Sequence, residues 1–508
     1  MKKLVSIALT LALLMSLAAF APAATADEER VTLTMLQRLN ASYVVEDNPV
    51  IAAWEDILGF NLEIEAPPIS SYSDRRNIIM ASGDLPDIIY LGDTGTNYVQ
   101  WARDGLLLNL TPYFNEETLP NPYKCLTEEE LYSVRIQSLD NELYSLPRVQ
   151  TKPWDCILYR KDWLDAIGME VPKTAADFAA VAEAFATQDP DGNGQNDTFG
   201  WSLNTAMGAE HRSITSAFDL RPSEVPDADG NYQIMRAQPG YMDYLDWMAD
   251  MYKKGAMDPE FYLITTYEDD DIWDAGTMGI RYCNTVIEHL ITFKNKDAFK
   301  AANPNAEVVA GPALMKEGQS VSDIYYSPQI WGNYAINADT EYLEEALRFL
   351  NLGYTDEVNE LLMFGVQGIT YDTFYPELRY ASKTDEEKLN ADKYVASYAT
   401  INYQLQNKGL LIANGDTDAD VELFNSAYNE IGALTNRISY LGGGSLAGVS
   451  DVQVGITDNG LDDKFGEMRT KYICGQITRD EMVDFLQNEY APAYQPILDI
   501  YAANNLNK

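Results

Sequence analysis

The chain has 508 residues, 46% hydrophobic and 22% charged, a globular composition too long for a single hydrophobic core. Its 78 acidic residues against 36 basic ones give a net charge of −42. Such a surface repels phosphate backbones and anionic lipid heads, which argues against nucleic-acid and membrane-surface roles and points to two or three soluble domains.

The first residues read as a processing signal. "MKK" supplies a positive start, Leu4 to Phe20 is apolar, and Ala24-Thr25-Ala26 offers a small-residue cleavage site, so residues 1–26 are expected to be removed. No later stretch is apolar enough to span a bilayer, and an exported, periplasmic or cell-surface protein is expected. "SLAAF" puts Phe20 where a lipoprotein signal would carry cysteine, so acylation at that position has no thiol to use. The four cysteines, Cys125, Cys156, Cys283 and Cys474, are widely spaced, with no metal-binding pattern, and are expected to be buried and unpaired.

Along the chain, "RVTLTMLQ" (Arg30 to Gln37) alternates like a first strand. "NPVIAAWEDILG" (Asn48 to Gly59) follows as a helix capped by Asn48, and "FNLEIEA" (Phe60 to Ala66) alternates again. A second helix ends at Gly83, and "LPDIIYLGD" (Leu85 to Asp93) is a short buried strand. Strand, helix, strand, helix, strand predicts an α/β fold with a parallel sheet. "DCILYRKDWLDAIG" (Asp155 to Gly168) reads as strand then helix, and Thr174 caps a strong helix reaching Gln188. In the helix from Tyr241 to Gly255, residues Tyr244, Trp247, Met248, Met251 and Tyr252 form one apolar stripe and predict core. Strands are expected at Ala275 to Asn284 and at Ile330 to Asn337, and mostly helix from Thr373 onward.

Directly after the Thr174 helix comes "DPDGNGQNDTFG" (Asp189 to Gly200). Oxygen-bearing side chains on alternate positions, with glycine for a sharp turn, wrap a hard cation such as Ca²⁺. Asp189, Asp191, Asn193, the Gln195 carbonyl and Asp197 fit that spacing as metal ligands, while the twelfth position, usually glutamate, is Gly200. A structural Ca²⁺ site is expected, against a solvated turn that binds nothing.

The order of motifs resembles the extracellular solute-binding proteins of ABC importers. It is closest to the long, lipoprotein-like, oligosaccharide-binding branch that includes alginate-binding proteins. The stretches that carry this are "ASGDLPDIIYL" (Ala81 to Leu91), "ELYSLP" (Glu142 to Pro147), "LYRKDWLDAIGMEVPKT" (Leu158 to Thr174), "DPDGNGQND" (Asp189 to Asp197), "MYKKGAMDPEF" (Met251 to Phe261), "GTMGI" (Gly276 to Ile280) and "FGVQGITY" (Phe364 to Tyr371). The resemblance implies a two-lobe periplasmic-binding-protein fold, a type II-like clamshell closing on its ligand. It implies an N-lobe of about 27–149 plus 311–372 and a C-lobe of about 150–310 plus 373–508, with crossings near 147–156, 308–325 and 370–378. It also implies Ca²⁺ in the C-lobe, although Thr198 stands where that group commonly has a further acidic ligand. Permease transmembrane subunits are the implied partners, and a monomer is expected.

Ligands of open α/β sheets lie beyond the carboxyl ends of the strands. Sugars need aromatic planes flanked by polar or charged groups. Tyr43, Asp93, Trp201, Arg281, Tyr282 and Trp331 are the ligand-binding candidates on that basis. Each has a plainer alternative: core for Trp201, a helix cap for Asp93, an internal ion pair for Arg281, half-buried packing for Tyr43 and Tyr282.

Three function classes remain. The first captures an oligosaccharide, or another small solute, and hands it to a membrane permease without altering it. The second is a secreted glycoside-active enzyme using paired carboxylates. The chain has no GxSxG, HExxH or Walker motif, and His211 and His289 are its only histidines, so no catalytic residue is assigned. The third is the same fold binding a peptide or serving as a sensor.

Overall fold

A computed structural model describes residues 30–39, 42–92, 95–150, 155–203, 210–264, 268–282, 289–327, 330–371, 418–443 and 448–507, with Leu446 and a few positions between 384 and 403. The expected signal segment and Cys283 lie outside the described residues. The strands in chain order are β1 (Thr32–Leu36), β2 (Asn61–Glu65), β3 (Ile88–Tyr90), β4 (Arg135–Ile136), β5 (Glu142–Leu143), β6 (Leu146–Gln150), β7 (Cys156–Arg160), β8 (Phe199–Trp201), β9 (Met278–Arg281), β10 (Val308–Pro312), β11 (Ser322–Tyr326), β12 (Ile330–Ile336), β13 (Asn402–Tyr403) and β14 (Thr435–Ser439).

Local sequence explains the first units. The Asn48 side chain accepts the Val50 N–H at 2.8 Å, satisfying an orphan donor at the start of the helix Pro49–Leu58. Val50, Ile51, Trp54 and Leu58 form its buried face. In β1 the Thr32 side is open while Leu33, Met35 and Leu36 are buried, and β3 is buried at all three positions, as a strand covered on both faces must be.

Two sheets organise the molecule. One has six strands in the order β13-β6-β12-β3-β1-β2, the other four in the order β10-β7-β9-β8. β1 pairs parallel with β2 and β3, as the alternating pattern predicts. The sheet as a whole is mixed, because β12 runs antiparallel to both β3 and β6. The chain leaves the first sheet at β6, enters the second at β7, and returns from β10 to β12 through β11, which pairs parallel with β14. Each sheet has its own apolar core. Leu33, Leu36, Ile88, Ile89 and Ile336 lie in the first, and Ile157, Tyr159, Phe178, Phe185 and Ile280 in the second. Burying one such aliphatic side chain contributes about 1.5–3 kcal/mol.

Tyr244, Met248 and Met251 of the predicted stripe are buried in the second core, with Trp247 and Tyr252 packed against it. Asn402–Tyr403 adds to the edge of the six-stranded sheet beside β6, whereas the resemblance implies a C-lobe place for residues 373–508. Cys156 is buried, and Cys125 and Cys474 are half-buried free thiols. No described helix is long and apolar enough to cross a membrane.

Candidate ligand-binding site

The carboxyl ends of β1 and β3 lie side by side. Leu36 pairs with Ile89, so Gln37 and Arg38 leave the sheet next to Tyr90 and Leu91. Tyr334 of β12 pairs with Tyr90 on one side and with Leu146 on the other, which brings Arg148 of β6 to the same end. Gln37 donates from Nε2 to the Tyr334 hydroxyl at 3.1 Å. From the helix Tyr72–Ser82, the Tyr72 hydroxyl donates to the Tyr90 carbonyl and the Arg76 guanidinium to the Leu91 carbonyl. Residues four apart share a helix face, so both reach the same strand end. The Arg76 guanidinium also lies 5.1 Å over the Trp101 ring.

The three tyrosines pack edge to face, with centroids 5.8 Å apart for Tyr72–Tyr90 and 5.2 Å for Tyr90–Tyr334. Room for Tyr90 comes from Gly332, whose φ is +135° and where an added Cβ would sit 2.2 Å from the Tyr90 hydroxyl. Burial pushes the Tyr72 phenol well above its ordinary pKa, with Arg76 and Arg38 pulling the other way. Burial likewise raises Tyr334, against the pull of Arg148. Both phenols therefore stay neutral and act as hydrogen-bonding groups. Gln37, Arg76 and Arg148 are buried, and Arg38 is the partly exposed member.

A second polar cluster sits where the chain passes between the sheets. Asp155, immediately before β7, is buried and accepts from Arg212 Nε at 2.7 Å. His211 Nε2 stands 3.8 Å from the other Asp155 oxygen, and its Nδ1 is 2.7 Å from Ser213 Oγ. The Arg212 guanidinium lies 5.9 Å from the Tyr326 ring of β11, and Arg437 of β14 lies 5.3 Å from it. A cavity of about 290 Å³ adjoins this cluster, bounded by His211, Arg212, Asp323, Tyr325 and Tyr440. A larger surface hollow of about 780 Å³ lies among the C-terminal helices, and Arg236 on its wall is held by Glu210 at 2.9 Å.

Among the described candidates, Trp201, Arg281 and Tyr282 lie together at the second sheet, and Tyr43 lies apart, against the first core. Trp201 is 1% exposed, packed edge-on against Tyr282 at 5.0 Å and Phe178 at 5.7 Å, and stacked on Trp247 at 5.9 Å. Tyr282 is equally buried, and both rings pack in the second core with no exposed face. Arg281 forms the internal ion pair given above as its plainer alternative, with Asp269 at 2.8 Å and with Asp270, and it lies 4.1 Å over Phe293. Tyr43 is half-buried against the first core, with its phenol raised by burial and eased by a hydrogen bond with Asn48. Asp93 lies outside the described residues, as does the side chain of Trp331 in β12.

In the acidic loop, Asn193 donates from Nδ2 to Asp191 at 2.8 Å and to Asp197 at 3.1 Å, and Gly194 N–H donates to Asp189 at 3.0 Å. The backbone carbonyl of Gln195 completes the predicted set, and its N–H donates to Asn193 Oδ1 at 2.7 Å. Asp189 Oδ1 is buried without a hydrogen-bond partner. The Asp191 pKa is raised by partial burial and by the neighbouring Asp189 and Asp197, against the lowering effect of the Asn193 N–H. Among the described residues, no three His, Cys, Asp or Glu side chains are drawn together as metal ligands. Thr198 turns inward and donates to the Phe185 carbonyl at 2.8 Å. Gly200 holds the twelfth position because an added Cβ would lie 2.5 Å from Ala182, so close packing of β8 on the helix Ala175–Thr187 takes precedence over a further ligand.

Gln37, Arg38, Tyr72, Arg76 and Arg148 escaped the sequence reading. The rule that ligands gather at strand carboxyl ends selects Gln37 and Arg38 directly, since they follow β1 without a gap. Tyr72, Arg76 and Arg148 become visible only through pairing between distant segments.

Residues 43–222 match the family model for "Bacterial extracellular solute-binding protein". Lipoprotein LipO of Bacillus subtilis (strain 168) is 25% identical over 330 residues, 64% of this chain and 64% of that protein. The fructooligosaccharide ABC transporter substrate-binding protein FusA of Streptococcus pneumoniae serotype 4 is 28% identical over 207 residues, 38% of each chain. The chain thus matches less than two thirds of the length of these curated relatives. The crystal structure of alginate-binding protein AlgQ2 without calcium ion superposes with a TM-score of 0.63 at 17% identity, covering 94% of this chain and 98% of that one. The resemblance carried by the seven motifs is borne out, and the fold is the two-lobe fold of solute-binding proteins.

Proposed function

We propose that the protein is the substrate-binding component of an ABC import system, which captures an oligosaccharide between its lobes and delivers it to a membrane permease. The observation that carries this reading is the two-lobe fold. Two separately cored sheets are joined by β6–β7 and β10–β12, an arrangement that lets the lobes move about the connecting segments. A ligand touching both lobes binds the closed form more tightly and shifts the population toward it. The names of FusA and AlgQ2 point to oligosaccharides and alginate as the class of solute, and the exported location follows from the expected signal segment. Capture requires no chemical change in the ligand.

Calorimetric titration against a panel of oligosaccharides tests the reading, with chromatography of the recovered sugar. Saturable binding with unaltered sugar is expected. Silence across the panel, or shortened products, contradicts it.

We propose also that the loop Asp189 to Asp197 holds a structural Ca²⁺. The residues fit: Asp189 Oδ1 is buried without a hydrogen-bond partner, and Asp191 is crowded by like charge. Rotation of the Asn193 amide would present oxygen to an ion in place of the nitrogen that now bridges Asp191 and Asp197. The ion would supply positive charge to a loop that otherwise repels itself.

A further inference from the structure

We infer that the short helix Glu128–Tyr132 is a latch between the lobes, and that it tunes sugar affinity by biasing how far they close. The inference rests on the solute-binding reading and adds to it a control built into the fold.

The helix belongs to the lobe of the six-stranded sheet. Thr127 caps it: its hydroxyl oxygen accepts the Glu130 N–H at 3.3 Å, and the Glu130 carboxylate accepts the Thr127 N–H at 2.8 Å. Leu131 is buried in the first core, and just beyond the helix the Val134 carbonyl accepts from the Tyr98 hydroxyl at 2.7 Å. Glu129 and Tyr132 are three residues apart and share a face. That face meets the other lobe. Tyr132 is half-buried against the second core, and burial raises its phenol pKa. Among the described residues it is the one side chain of its lobe that packs there. Glu129 accepts from Ser439 Oγ at 2.8 Å.

Ser439 is fixed to the second lobe. It ends β14 and pairs with Tyr326 of β11, whose ring faces Arg212. The helix Asp418–Ala433, which leads into β14, places Phe424 and Ile431 in one cluster with Leu158 of β7 and Val308 of β10. The pairing also sets the contact at the joint, because Tyr326 is the last residue of β11 before the chain crosses to β12.

Lobes that turn about their joining segments change the contacts that lie off the axis. A contact made in one arrangement favours that arrangement. The apparent affinity of a ligand follows the population of the form it binds. Glu129 and Tyr132 thus act on sugar affinity through the lobes and not by touching sugar. The tyrosine ring carries more of this bias than the exposed hydrogen bond.

The test uses the full chain, the combined Glu129→Ala and Tyr132→Ala variant, and Tyr132→Phe, which keeps the ring. Thermal melts establish that each is folded. Small-angle scattering of the free proteins gives the radius of gyration. Calorimetry with kestose and with the trimers of mannuronate and galacturonate gives the affinity. The combined variant should differ from the parent in radius of gyration, and by about threefold or more in affinity. The two should move together: a more compact free form binds more tightly, a more extended one more weakly. Tyr132→Phe should match the parent in both. An affinity change with an unaltered free form overturns the inference, since the side chains would then touch the sugar themselves. Unchanged affinity in the combined variant overturns it as well. A parent that binds none of the three sugars counts against the solute-binding reading, and scattering then decides the latch alone. In that case a changed radius of gyration in the combined variant supports it, and an unaltered one sinks it.

Discussion

Arg212 Nε donates to Asp155 Oδ2 over 2.7 Å at the point where the chain crosses from one sheet to the other. Asp155 is 2% exposed and is the first residue described after β6, while the same guanidinium faces Tyr326, the last residue of β11 before the chain returns to β12. One guanidinium therefore links the short helix Arg212–Thr215 to two of the segments that join the sheets, by an ion pair to Asp155 and a ring contact to Tyr326. Asp155→Asn removes the charge and leaves the shape, so Arg212 and Arg437 lose the carboxylate between them. Breaking a buried pair costs about 3 kcal/mol, and urea unfolding of this variant should show a loss of that size. A variant as stable as the parent would mean that the pair contributes nothing net.

His211, beside that pair, gives stability a pH dependence. Burial first of all, with Arg212 assisting and Asp155 opposing, pushes its pKa down to about 4. An exposed imidazole in the unfolded chain titrates near its ordinary value of about 6.5. The folded pKa is the lower one, so this contribution is complete above about pH 6.5 and is lost as pH falls through that value toward 4. The loss amounts to roughly 3 kcal/mol. Denaturation between pH 7 and pH 4 should show it, and His211→Asn should flatten the slope in that window. An unchanged slope in the variant would place the dependence on the carboxylates.

Trp201 tests the distinction between core and site. Truncation to alanine removes a ring buried among Phe178, Trp247 and Tyr282 and should cost about 3–5 kcal/mol. Sugar affinity of the folded fraction should stay within about twofold of the parent, since the side chain has no exposed face. A large loss of affinity with little loss of stability would return Trp201 to the binding site.

The acidic loop is tested by calcium itself. An ion that binds only the folded form stabilises by about 2.7 kcal/mol when present at about 100 times its Kd. Thermal melts should rise on adding Ca²⁺ and return with chelator. The combined Asp189→Asn and Asp197→Asn variant should not respond. A parent chain indifferent to millimolar Ca²⁺ would mean that Asn193 and the loop N–H groups already satisfy these carboxylates.

These outcomes show what a linear reading can and cannot reach. Asn48, Thr174 and the Tyr244–Met248–Met251 stripe were legible because capping and helical periodicity act within a few residues. The site was legible only at its edge. Arg281 looks like a ligand in "GIRYCN", yet its partners Asp269 and Asp270 lie on the preceding helix and only the fold brings them together. Trp201 follows the acidic loop and Tyr282 follows a strand end in the sequence, but β8 and β9 are parallel neighbours, so the two rings meet inside the same core. Arg38 was passed over for the aromatic Tyr43 nearby, because only the pairing of β1 with β3 shows which strand end it stands at.

Small-angle scattering of the full chain, with and without a saturating oligosaccharide, tests the central claim most directly. Two lobes that close on a sugar should give a smaller radius of gyration and a shorter maximum dimension in the bound state, reversed when the sugar is dialysed away. Identical profiles at proven saturation would contradict capture by closure.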